Sequence, residues 1–159
     1  HRMGDTFVVP QEMTRTETML IPGLDGAKMS KSKGNTLNIF DEPSALKKRI
    51  NREITTDTTP LEDPKDPDSA VVWKLYQAIA GEAKGQAMAE KLRAGGYGWG
   101  HAKKDLLETI VDGYAAERDE FNRRMADLGG LDAELSKGAA QAREVASSVL
   151  DRVRTKIGY

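Results

Sequence analysis

The sequence contains no cysteine, which excludes a disulfide framework, a thiol nucleophile and a Cys-type zinc site within these residues. Its histidines number two. His101 stands near a predicted helix start with no second ligand at metal spacing, so no protein-bound metal is expected. No stretch approaches the roughly 20 apolar residues that a membrane span requires, and no membrane partner is expected. No leader peptide is visible, and the missing cysteine is compatible with a cytoplasmic setting. Neither sign of charge prevails. The net charge of −1 means that contact with nucleic acid would have to come from local basic clusters.

A length of 159 residues with 38% hydrophobic and 31% charged side chains describes a charge-rich globular chain with enough material for one core. It opens at His1-Arg2-Met3-Gly4, directly before an apolar run, and reads as a fragment whose upstream sequence is missing. Two regions differ in texture, residues 1–36 and residues 37–159. In the first, Phe7-Val8-Val9 reads as a short strand ended by Pro10, and Met19-Leu20-Ile21 as a second short run ended by Pro22-Gly23. Residues 23–36 hold Gly23, Gly26 and Gly34 among lysines and serines, with turn chemistry at Asp25-Gly26. They read as a mobile polar loop.

The second region is helical. Asp41 is the expected N-cap of a first helix, with Pro43 in its first turn and Leu46, Ile50 and Ile54 along one face. Residues 55–68 form a proline-containing acidic loop. A second helix is predicted over 69–80, with Val72, Leu75 and Ile79 inward and Gly81 as its stop. A third is predicted over 86–94, ended by Gly95-Gly96. Two long helices follow, over 101–127 (Leu106, Ile110, Tyr114, Phe121, Met125) and 132–157 (Leu135, Ala142, Val145, Val149, Val153, Ile157). Gly129-Gly130 would separate them into an antiparallel pair, with Gly138, Ala139, Ala142 and Ala146 allowing close approach. Trp73 is expected to pack inside, and Trp99 to plug a hydrophobic corner rather than stack on a base. Lys47, Lys48, Arg49 and Arg52, then Arg123 and Arg124, then Arg152, Arg154 and Lys156, read first as solvated helix faces.

Lys28-Met29-Ser30-Lys31-Ser32 is the stretch with chemical content. Two ammonium groups and two hydroxyls on a glycine-flanked loop can close over a polyphosphate, the lysines as point charges and the serines as hydrogen-bonding groups. A basic segment of this kind also occurs as a plain solvated loop. Here the residue order is that of the second signature motif, KMSKS, of the class I aminoacyl-tRNA synthetases, which the chain resembles. The helical part resembles that of bacterial-type tryptophanyl-tRNA synthetases. The similarity is carried by Asp57 before the acidic loop, Asp66-Pro67-Asp68-Ser69 before Leu75-Tyr76, Gly96-Tyr97-Gly98 before His101-Ala102-Lys103, and residues 137–143. The stretch Gly4 to Pro10 also fits the approach to the loop.

The resemblance implies a mainly α chain: the end of a class I Rossmann catalytic domain, with short strands and the KMSKS loop, over 1–36, then a C-terminal helical bundle that binds the tRNA anticodon over 37–159. It implies that Lys28 and Lys31 are the catalytic residues and hold the ATP phosphates. Ser30 and Ser32 would add hydrogen bonds, Met29 would seat the loop near the adenosine, and Met19 would set its backbone against adenine. ATP with Mg2+, tryptophan and tRNA(Trp) would be the substrates, and the whole enzyme a homodimer. The Rossmann half, with the HIGH motif and the amino-acid pocket, is not in this sequence, so the chain alone is expected to be inactive. Two alternatives stay open: a tyrosyl or other class I synthetase, and a non-catalytic helical module that binds RNA or protein.

Overall fold

The computed structural model describes residues 6–13 and 20–159. The chain divides into two units, Thr14–Asp119 on one hand and His1–Met13 with Glu120–Tyr159 on the other.

The first unit is built on helices α1 (Pro43–Glu53), α2 (Val71–Ala80), α3 (Glu82–Ala94) and α4 (Trp99–Gly113). Helix α2 packs on α3 and α4, and α1 packs on α4. The inward faces are those the apolar spacing indicates: Leu46, Ile50 and Ile54 from α1 and its end, Val72 and Leu75 from α2, Leu106 and Ile110 from α4, all at most 2% exposed. Met88, Ala89 and Leu92 of α3 complete this core. Trp73 is inside it, its indole N–H donating to the Gly85 carbonyl at 2.8 Å. Gly85 permits the close approach of α2 and α3, since a Cβ there would meet the Gln77 side chain at 2.6 Å.

Helix ends depart from the sequence expectation for identifiable reasons. Asp41 does not cap α1, because its carboxylate already accepts from Asn38 Nδ2 at 2.6 Å. Glu42 takes the cap position, with Pro43 opening the helix. Helix α3 starts a turn early because Gly81, with φ of 88°, ends α2 and redirects the chain at once. The long helix expected over 101–127 is two helices, α4 and α5 (Ala115–Ala126), parted at Tyr114 (φ −117°, ψ 24°). The buried Arg118 stabilises that break by donating to the Val111 carbonyl at 3.1 Å and the Ile110 carbonyl at 3.2 Å. Those carbonyls lie in the last turn of α4, and the Ile110 carbonyl also accepts from the Tyr114 N–H at 3.2 Å.

Residues 55–68 are also held in place. The Lys65 ammonium, only 3% exposed, donates to the carbonyls of Pro60 at 2.7 Å, Leu61 at 3.1 Å and Asp63 at 2.8 Å. Trp99 sits in the core corner and its indole N–H donates to Asp57 Oδ1 at 2.8 Å. His101 Nδ1 accepts from the Gly98 N–H at 3.2 Å, so it caps the start of its own helix.

In the second unit, α6 (Leu128–Ile157) runs through Gly129-Gly130 instead of starting after them. Asp127 caps it by accepting from the Gly130 N–H at 2.9 Å, and a Cβ at Gly130 would run into that carboxylate. No residue of α6 is buried. Leu135, Val145 and Ile157 are 62%, 72% and 49% exposed, so the small residues near Gly138 form no buried seam. The glycines expected to separate two helices instead lie in the first turn of α6.

The expected strands are absent among the described residues, where an isolated bridge between Pro22 and Lys28 is the only β pairing. Phe7, Val8 and Val9 are 67%, 93% and 84% exposed. A short apolar run without a neighbouring strand has no partner for its backbone groups.

Leu106→Ala should lower the stability of the chain by about 3 kcal/mol, the usual cost of emptying a closed leucine site. Val145→Ala, on exposed α6, should change it by less than about 0.5 kcal/mol. Urea unfolding of both variants checks the pair, and equal effects would contradict the core described here.

Candidate active-site loop

Residues 21–36 form a tight double-backed loop. Gly23 N–H donates to the Ala27 carbonyl at 2.6 Å and Gly26 N–H to the Gly23 carbonyl at 2.9 Å, with Met29 N–H bonded back to the Ile21 carbonyl at 3.1 Å. Gly26 has φ of 80°, a left-handed conformation that glycine adopts at no steric cost. Asp25 completes the turn by accepting from the Ala27 N–H at 3.1 Å.

Asn35, 5% exposed, organises the loop from inside. Its Oδ1 accepts from the Ser30 N–H at 2.8 Å. Its Nδ2 donates to Asp25 Oδ1 at 2.7 Å and to the Lys28 carbonyl at 3.2 Å. Its backbone carbonyl accepts from the Leu24 N–H at 2.9 Å. A Cβ at Gly23 would overlap the Asn35 amide, so the glycine is required by contact rather than by dihedral angle. Leu24 and Leu37, 2% and 8% exposed, fix both flanks of the loop into the helical core.

The signature residues divide by direction. Met29 is partly buried and packs against the core cluster; it seats the loop on the helices. Lys28, Lys31 and Ser32 are exposed and Ser30 half-buried. The hydroxyls of Ser30 and Ser32 meet at 2.9 Å. Lys31–Lys33 form one turn of 3-10 helix, closed by bonds from Lys33 N–H to the Ser30 carbonyl at 3.2 Å and from Gly34 N–H to the Lys31 carbonyl at 3.1 Å. No carboxylate pairs with Lys28 or Lys31 among the described residues. The loop thus presents two uncompensated ammonium groups and a hydroxyl pair on a backbone shaped from below, an arrangement suited to an anionic polyphosphate. Met19 lies outside the described residues. No group of three or more potential metal ligands occurs among the described residues.

Sequence reasoning found the groups that point outward and missed those that shape them. Asp25 was legible only as turn chemistry and Arg49 only as one of a basic group, and Asn35 was not singled out. Arg49 in fact donates from Nη2 to the Gly34 carbonyl at 2.9 Å. Of the other basic clusters, Arg123 and Arg124 both bind Glu120, at 2.7 and 2.6 Å. Arg123 first, then Arg124, pulls that carboxyl down to about 2.

The family model for tRNA synthetases class I (W and Y) matches residues 1–115, and the chain belongs to that family. Its relatives narrow the group further. The chain is 44% identical over 158 residues to the tryptophan–tRNA ligase of Rhodopirellula baltica, covering 99% of this chain and 49% of that protein. It is 34% identical over 155 residues to the enzyme of that name from Campylobacter jejuni, covering 98% of this chain and 48% of that one. A crystal structure of the Campylobacter jejuni tryptophanyl-tRNA synthetase complexed with ADP and tryptophan is similar in fold. Its TM-score is 0.79 at 34% identity, over 99% of this chain and 49% of that one. The chain thus spans about half the length of these relatives. No helix among the described residues is long and apolar enough to cross a membrane.

The Asp25 carboxyl is held below its ordinary value of 3.8, mainly by the hydrogen bond from Asn35. A depressed carboxyl favours the folded loop at neutral pH, and that contribution is lost as the pH falls through the lowered value. Carboxyl NMR should therefore show Asp25 titrating below the ordinary range in the native chain. Asn35→Ala should move its midpoint up towards 3.8. An unchanged midpoint would remove Asn35 as the cause.

Proposed function

We propose that the protein carrying this chain is a tryptophan–tRNA ligase. It would activate tryptophan with ATP to the aminoacyl-adenylate and transfer the tryptophanyl group to tRNA(Trp), in the cytoplasm and as a homodimer. The observation that carries this reading is the exposed, uncompensated lysine pair of the KMSKS loop, set in a chain of which 99% aligns with about half of a tryptophan–tRNA ligase. The ADP and tryptophan of the Campylobacter jejuni complex support the same substrate classes. Residues 1–36 would belong to the catalytic domain and residues 37–159 to the part that meets the anticodon. Magnesium would enter with ATP as the substrate complex.

In such a reaction the tryptophan carboxylate attacks the α-phosphorus of ATP, the α–β phosphoanhydride bond breaks, and pyrophosphate departs. Negative charge accumulates on the leaving group in the transition state. Lys28 and Lys31, reaching it from the loop, would lower the barrier more than they strengthen ATP binding. Ser30 and Ser32 supply hydrogen bonds to the same oxygens, and Met29 anchors the backbone that carries them. The attacking group is the substrate's own carboxylate, so this step uses no protein nucleophile.

Lys31→Ala in the whole protein should slow adenylate formation about a hundredfold, the usual cost of losing one transition-state charge contact. ATP affinity should move only a few-fold, and transfer to tRNA should be affected less because pyrophosphate has already left. Lys31→Arg should restore part of the rate, as a planar fork replaces a compact ammonium. Pre-steady-state kinetics separates the steps; a near-normal rate of adenylate formation would end the catalytic assignment.

A further inference from the structure

Helix α1 holds the exit of the signature loop through one side chain. Arg49 Nη2 donates to the Gly34 carbonyl at 2.9 Å across 15 positions of sequence. The same guanidinium is oriented from its own helix by Glu53, which accepts from Nε at 3.1 Å and from Nη2 at 2.8 Å. Gly34 is the left-handed cap of the 3-10 turn, with φ of 68°, and its N–H donates to the Lys31 carbonyl at 3.1 Å. A continuous chain therefore runs from the Glu53 carboxylate through Arg49 and the two backbone groups of Gly34 to the carbonyl of Lys31. The space around Gly34 is open, so its left-handed φ rather than any neighbour calls for glycine. The Gly34 residue is exposed; its N–H is held by the turn and its neighbour Asn35 is buried, while its carbonyl is held by the guanidinium.

We propose that Arg49 is a positioning residue that sets the placement of Lys31, with Glu53 as its orienting partner, so that helix α1 governs how the signature loop presents its charge. This rests on the adenylate-forming reading of the loop. Arg49 touches the loop backbone and lies behind the lysine ammonium groups in the bond chain. Its loss leaves every signature side chain in place while freeing the turn that carries one of them. A planar fork serves both Glu53 and the carbonyl at once, whereas a lysine at this position reaches one of them at a time.

Two measurements test this separately. In hydrogen exchange on the chain described here, Arg49→Ala should speed exchange at the Lys33 and Gly34 amides about tenfold, leaving the α4 amides unchanged. Arg49→Lys should give a smaller increase. Lys104→Ala, which removes an ion pair of similar i,i+4 spacing on α4, should leave the loop as it is. Equal loop exchange in Arg49→Ala and the unaltered chain overturns the clamp. In tryptophan-dependent ATP–pyrophosphate exchange by the whole protein, Arg49→Ala should lower kcat about tenfold or more, with KM for ATP within a few-fold, since misplacing a catalytic group costs rate rather than binding. Arg49→Lys should recover part of that loss. Faster loop exchange without loss of kcat overturns the positioning role. If the unaltered whole protein shows no pyrophosphate exchange, the adenylate-forming reading falls, and the amide data alone decide whether Arg49 clamps the loop.

Discussion

A single buried amide reconciles a flexible-looking sequence with a defined loop. Asn35 is enclosed, and each of its side-chain polar atoms is satisfied by the loop that surrounds it. Leaving such a group unpaired in the interior costs about 1–3 kcal/mol. The loop therefore has one arrangement that keeps Asn35 content, and other arrangements pay that cost. Gly23 and Asn35 specify each other sterically, while Leu24 and Leu37 anchor the pair to the helical core. The outward display of Lys28 and Lys31 follows from this interior contact. The loop is thus shaped from the side opposite to its lysine ammonium groups.

A second regularity concerns how a charge-rich chain uses its cations. Exposed ion pairs contribute little to stability; most of those here lie within one helix, and Arg93 with Asp68 joins α3 to the loop before α2. Several other cations bind backbone carbonyls instead. Lys103 donates to the Ile54 carbonyl at 2.7 Å and the Asn51 carbonyl at 3.2 Å, closing the end of α1. Arg118 closes the end of α4, and Lys65 gathers the carbonyls of its own loop. Each places a positive charge where helix ends and turns expose oxygen. Arg49 on the Gly34 carbonyl is another instance of this habit, placed at the signature loop.

What the sequence made legible follows from which forces act locally. Leu46, Ile50, Val72, Leu75, Leu106 and Ile110 were readable because helical period and burial coincide, and a regular helix carries no information beyond its neighbours. Gly81 and Pro43 were readable as punctuation for the same reason. The break at Tyr114 was not, because it is stabilised by Arg118 reaching back to carbonyls of the preceding helix. Nor was the start of α6, since Gly129-Gly130 reads as a separator until Asp127 is seen to need room at Gly130. The strand readings failed because pairing depends on a partner that a local pattern does not contain. In the loop, residue order alone identified the signature lysines and serines. The roles of Asn35, Asp25 and Arg49 came from contacts spanning 10 positions to Asp25 and 15 to Gly34.

The two tryptophans have a consequence of a different kind. Trp73 and Trp99 are 8% and 9% exposed, and each indole N–H is engaged, with the Gly85 carbonyl and the Asp57 carboxylate respectively. Neither belongs to the loop of residues 21–36. The intrinsic fluorescence of this chain is therefore a gauge of its helical core and of the tether on residues 55–68. Emission would follow melting of α2 and α4 faithfully and stay silent while the loop opens, closes or takes up an anion. An optical probe of the loop would have to be introduced by substitution, and the exposed Lys33 position offers a place for one that leaves Asn35 undisturbed.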